Sequence, residues 1–141
     1  MKTDLEKAIS KLEGHTIFLV KGDKELSSEQ KGVAPMLLFL EQGLDLEGYS
    51  VADKAVGKAA AMLFLKAKIK AVYSYVMTRT ALSILEKHGI EVRYERLTDV
   101  ILNRTETELC PMEKAVKDIS DDDFEEAYEV IKRRYAELMA K

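Results

Sequence analysis

Apolar residues recur along the chain with two periods, and the changes of period mark the elements. Leu5, Ala8, Ile9 and Leu12 share one helical face behind Thr3, which has the capping-box spacing to Glu6, and Gly14 stops the helix. The β-rich run Thr16 to Val20, a turn at Lys21-Gly22-Asp23-Lys24 and a short return strand predict a hairpin. Val33 to Gln42 is an apolar helix ended by Gly43, and it tolerates Pro35 because that residue falls in its first turn. A brief strand or loop around Tyr49 to Ala52 comes next. It leads into an Ala-rich helix from about Lys54 to Lys66, apolar nearly all round and so expected inside, against a sheet.

"KAVYSYVMT" is β-branched and aromatic and predicts a central strand. "RTALSILEKHG" is amphipathic through Ala81, Leu82 and Leu85 and closes at Gly89, a left-handed cap position. In "IEVRYERL", Ile90, Val92 and Tyr94 alternate with Glu91, Arg93 and Glu95, the pattern of a half-buried strand. A polar loop with "NRTETEL" precedes a short helix at Cys110, and Ser120-Asp121-Asp122-Asp123 caps the last helix. There Phe124, Ala127, Tyr128, Ile131, Tyr135 and Leu138 form one stripe expected to cover the domain's own core. The acids at its start and Lys132, Arg133 and Arg134 further on complement the helix dipole. The expectation is one α/β domain, a three-layer α/β/α arrangement with a mixed sheet: an N-terminal helix over 1–14, a core over 15–118 and a C-terminal helix over 119–141.

Composition narrows the function classes. A chain of 141 residues with 47% hydrophobic and 33% charged residues suits a globular domain, and a net charge of −3 gives no electrostatic case for nucleic-acid binding. The opening MKTDLEKAISKLEG has no signal-peptide core, and the longest apolar run, Ala59 to Leu65, is too short to span a bilayer. No membrane association is expected. The single cysteine forbids an intrachain disulfide, and with the missing signal it points to the cytoplasm. Asn and Gln together occur three times against sixteen Glu, a bias that matches thermophile composition.

The stretch from "DKAVGKAAAMLFLKAKIKAVYSYVMTRTALSILEKHGIEVRYERL" to "ILNRTETELCPMEKAV" resembles the bacterial domain-of-unknown-function family 1893, most distinctively in "GKAAA" and "NRTETELCPMEKA". The likeness runs from about Thr16 to Val116. The order hairpin, helix, strand–helix–strand–helix–strand resembles the cytidine-deaminase-like superfamily. The resemblance implies a deaminase-like fold and carries no activity with it. Zinc deaminases hold their metal with His/Cys/Cys or three Cys and use a Glu as proton shuttle, at two helix starts. The equivalent starts here, Ala55-Val56-Gly57-Lys58 and Thr78-Arg79-Thr80-Ala81, contain no His, Cys or Glu, and the only histidines are His15 and His88. Zinc-dependent deamination is not expected, nor any metal or cofactor.

Four groups of residues remain as candidates. Asp53, Lys54, Gly57 and Lys58 offer a small residue, two lysines and helix-start amides for a phosphate or carboxylate; the alternative is tight packing at Gly57 with solvated lysines. Thr78, Arg79 and Thr80 lie at a strand's carboxyl end, where open α/β sheets place ligands, or they form a plain Thr cap with a surface Arg. Asn103, the only asparagine, belongs to a polar loop; its glycosylation sequon is discounted for a cytoplasmic chain. Cys110-Pro111-Met112-Glu113 has the capping-box layout with sulfur in place of the hydroxyl, so the helix dipole favours a nucleophilic thiolate there while Glu113 opposes it or acts as its acid/base. The alternative is a cysteine that caps and packs. Three readings follow: a non-zinc domain binding a small anionic or nucleotide-like ligand, a thiol-dependent enzyme or carrier using Cys110 and Glu113, or an interaction module without chemistry. A homodimer that closes an exposed sheet edge is compatible with each.

Overall fold

A computed structural model describes the chain apart from residues 1, 104, 106 and 141. Helix α1 (Asp4–Lys11) starts at the expected capping box: Thr3 Oγ1 accepts from Glu6 N and a Glu6 carboxylate oxygen accepts from Thr3 N. The Thr3 amide and hydroxyl hold the Glu6 carboxyl below its ordinary pKa. The hairpin follows as β1 (Ile17–Lys21) and β2 (Lys24–Ser28), paired from Ile17↔Ser28 to Lys21↔Lys24 around Gly22, whose φ of +60° suits the turn. Helix α2 (Ala34–Glu41) carries Pro35 in its first turn. Then come β3 (Ser50–Val56), α3 (Lys58–Ala67), β4 (Ala71–Thr78), α4 (Arg79–Lys87), β5 (Glu91–Thr98), α5 (Pro111–Val116) and α6 (Phe124–Met139).

The five strands form one mixed sheet in the order β2-β1-β3-β4-β5. β1 is antiparallel to both neighbours, and β3, β4 and β5 are parallel. Alternation along each strand feeds two cores. On one face, Leu5 and Ala8 of α1 and Leu12 just after it cluster with Phe18, Val20, Ala52, Ala71 and Tyr73. On the other, Ile17, Leu19, Val51 and Val72 join the main core with Phe64, Ile84, Leu85 and Ile131. The α6 stripe is used as its pattern indicates: Ala127, Tyr128 and Ile131 are buried there, with Phe124, Tyr135 and Leu138 packed against them.

Two elements depart from the sequence reading. Asp53–Val56 belong to β3 and pair with β4, so α3 starts at Lys58 rather than near Lys54. The Ala-rich composition masks this boundary, which the parallel ladder decides. β5 is an edge strand and is more exposed than its alternation suggests, with Tyr94 40% exposed, because alternation reports a preferred face but not how much covers it.

One irregularity aims the strands at their helices. Both parallel ladders skip the same level, between Lys54 and Tyr75 and between Tyr75 and Glu95. Asp53 Oδ1 accepts from Lys54 N at 2.7 Å, and Ser74 Oγ donates to Val76 O at 2.6 Å, so side chains serve backbone groups beside the gap. Past it, Val56 and Met77 turn into the main core directly before α3 and α4.

Helix α3 ends at Lys68, whose φ of +60° is the only positive value of a non-glycine among the described residues. A left-handed residue with a Cβ is disfavoured. Its ammonium lies 3.9 Å from Glu47 at an exposed position, so little is lost with the side chain. Lys68→Gly is expected to raise stability by about 0.5–1 kcal/mol in urea unfolding; unchanged or lower stability would show that no strain resides there.

Candidate functional site

At the carboxyl ends of β3 and β4, helices α3 and α4 begin side by side, and their starts are satisfied differently. Thr78 caps α4 locally, its buried Oγ1 accepting from Ala81 N at 3.1 Å. Gly57 precedes α3 and has no side chain to cap it. Glu113 of α5 does so from 55 residues away: Oε1 accepts from Lys58 N at 2.9 Å and Oε2 from Ala59 N at 2.8 Å. A Cβ on Gly57 would lie 2.2 Å from Glu113 Oε1. The φ of −112° at Gly57 is open to any residue, so glycine is required for space and not for backbone freedom. The helix-start amides that the sequence offered to a phosphate or carboxylate are taken by the protein's own carboxylate.

Lys58 is not a solvated lysine. The residue is 8% exposed; its Nζ donates to Ile119 O at 2.5 Å and lies 3.1 Å from Asp121 Oδ1. Glu113 thus ties α3 to α5 through an anion, and Lys58 ties it to the segment between α5 and α6 through a cation. A cavity of about 310 Å³ opens beside them, lined among others by Lys58, Thr78, Thr80, Glu113, Lys117 and Asp121.

The other candidates lie elsewhere. Arg79 is exposed, its Nε 3.2 Å from Asp99 Oδ1, and Lys54 faces a separate cavity with Tyr73 and Tyr75 near α1. Asp53 supports the ladder gap, and burial pushes its carboxyl up to about 7 against the lowering effect of the Lys54 and Ala55 amides. Asn103 closes its own loop: Oδ1 accepts from Thr107 N and from the Thr105 hydroxyl, both at 3.1 Å, while Asn103 N donates to Glu108 O at 2.8 Å. Cys110 precedes α5 without a side-chain cap bond and lines a larger, mainly apolar cavity of about 630 Å³ with Val33, Met112, Tyr135 and Leu138. The Glu113 carboxylate that the sequence offered to Cys110 is engaged on α3 instead. Nor does a histidine serve the thiol. His88 bonds Ile84 O and Asp122, and His15 packs edge-on against Phe18 near Glu29. No group of three or more His, Cys, Asp or Glu is placed to hold a metal among the described residues.

Sequence reasoning passed over Lys117 and Asp121. Asp121 stood in an acidic capping run and Lys117 at the end of a short helix, and neither pattern signals a tertiary contact with α3.

Residues 5–134 match TM1506, the domain of unknown function DUF1893. The chain belongs to the DUF1893 family. The crystal structure of a DUF1893 family protein (TM1506) from Thermotoga maritima is similar to it, at 27% sequence identity and a TM-score of 0.81, covering 95% of this chain and 92% of that one. No curated protein matches the chain.

In this DUF1893 domain the Gly57–Glu113 contact gives a direct test. Gly57→Ala must expel the carboxylate and is expected to cost about 2–4 kcal/mol in chemical unfolding, and Glu113→Ala about 1–3 kcal/mol. The double variant should be no worse than the larger single loss to within about 1 kcal/mol. Additive losses would mean that the two residues act independently.

Asp53 makes a prediction in pH. The folded protein holds its proton up to about pH 7, whereas the unfolded carboxyl titrates near 3.8. The folded state therefore binds the extra proton between these values, and stability falls as pH rises through that window, to a full loss of roughly 4–5 kcal/mol above it. Asp53→Asn should relieve this, so its advantage over wild type grows from pH 4 to pH 7 and then levels off. A stability difference independent of pH would remove the assignment.

Proposed function

We propose that this DUF1893 domain is a deaminase-like domain without a zinc centre that binds a small polar, nucleotide-like ligand at the paired starts of α3 and α4. The single observation behind the proposal is the convergence of Lys58, Thr78, Thr80 and Glu113 on one cavity of about 310 Å³, outside the carboxyl ends of parallel strands. The element order of hairpin, helix and strand–helix–strand–helix–strand supports the deaminase-like comparison. The ligand's chemistry is revised by Glu113. With α3's first amides occupied, an anionic group would instead meet the start of α4, where the amides of Arg79 and Thr80 precede the first intrahelical bonds. Glu113 and Asp121 would then accept from hydrogen-bond donors on the ligand's other end. The thiol reading has no comparable support, because among the described residues no histidine serves Cys110 and the Glu113 carboxylate is engaged on α3.

Thermal unfolding against a panel of nucleosides, nucleotides and amino acids tests this. At least one compound should raise the Tm of the wild type and of Arg79→Ala, and the shift should vanish in Thr80→Glu, which places a carboxylate inside the cavity. The proposal fails if no compound shifts the wild type or if the shift survives in Thr80→Glu.

A further inference from the structure

We infer that residues 110–121 form a latched strap that can open as a unit, reshaping the polar cavity and the apolar cavity together. The inference builds on the ligand-binding reading only in supplying a use for the motion. One short segment walls both cavities: Glu113, Lys117 and Asp121 face the polar one, and Cys110, Pro111 and Met112 face the apolar one. The segment's own regular structure is a six-residue helix, too short to hold itself together in water. Its attachment to α3 is polar at two points, which are the Glu113 carboxylate on the Lys58 and Ala59 amides, and the Lys58 ammonium against Ile119 O and Asp121. Its apolar hold consists of Met112 and Val116, buried in the main core, with Cys110 and Ile119 packed against it. Stability is distributed unevenly in such an arrangement, and a segment held by few apolar contacts opens at lower free energy than the core it rests on.

The latch residues are also cavity residues. A ligand that donates to Glu113 or Asp121 in place of their α3 donors weakens the hold of the strap, and one that bridges them to Thr78 or Thr80 strengthens it. Ligand occupancy and strap opening are therefore coupled through the same atoms, as differential binding to two states requires. The apolar cavity shares the moving wall, so its shape follows the state of the polar one.

Amide hydrogen exchange read by mass spectrometry tests the latch in the full chain without ligand. Glu113→Gln, which leaves a neutral acceptor, and Asp121→Asn, which loosens only the Lys58 end at an exposed carboxylate, should each speed exchange at residues 110–121. The expected increase is about tenfold or more for Glu113→Gln, with exchange in α1 and α4 unchanged. Leu85→Ala serves as the control for general destabilisation. Exchange in 110–121 that stays as in wild type in both variants overturns the inference. So does acceleration spread equally over α1 and α4 as in Leu85→Ala, because the strap then opens only with the whole domain. If Glu113→Gln does not fold, Asp121→Asn alone decides by the same criterion. Because no ligand is present, failure here leaves the ligand-binding reading to its own test.

Discussion

A helix that is apolar on nearly every side must be enclosed, and an enclosed helix start must find partners for its amides inside the protein. Helix α3 meets this constraint in full. Its Ala59, Ala61, Met62, Leu63 and Phe64 are buried, and α2, α4, α5 and α6 all pack on it. The first amides of such a helix cannot all be left to water, and unpaired buried amides are costly. Gly57 has no side chain to help, and its missing Cβ is what admits the Glu113 carboxylate to both Lys58 N and Ala59 N. Burial of α3, the glycine before it and the acid on α5 are therefore one requirement met by three elements. Lys58 extends it, since a buried ammonium needs acceptors and takes them from the segment that carries Glu113.

This reciprocity explains why the legible part of the chain stops where it does. The capping box at Thr3, the hairpin at Gly22, the Thr78 cap and the α6 stripe depend on residues within a few positions of one another, and local pattern suffices for each. Glu113 also has a local pattern, three residues after Cys110, and that pattern suggests a capping box for α5. The tertiary demand of α3 overrides it. A carboxylate that serves its own helix and one that serves another 55 residues away look identical in sequence. The same holds for the β3–α3 boundary, where Asp53 to Val56 pair with β4 although their composition continues into the helix. Asn103 likewise has a role that its own spacing does not announce, since it closes its loop beside the cavity that Cys110 lines.

The two helix starts also differ in which of their amides they leave free. Because α3 is capped from within, its dipole is already compensated and gives little to a ligand. Thr78 takes one amide of α4 and leaves the two before it without partners in the helix. The remaining charges of the cavity nearly cancel, with Lys58 and Lys117 against Asp99, Glu113 and Asp121. Such a site exerts no long-range pull on an anion, and the net charge of −3 exerts none either. Recognition would rest on short-range hydrogen bonds whose donors and acceptors are already held by packing, so specificity would come from geometry and not from charge. The side chains that shape this cavity are the ones that close the fold around α3, and Glu113 cannot be altered for ligand chemistry without also releasing the helix it caps.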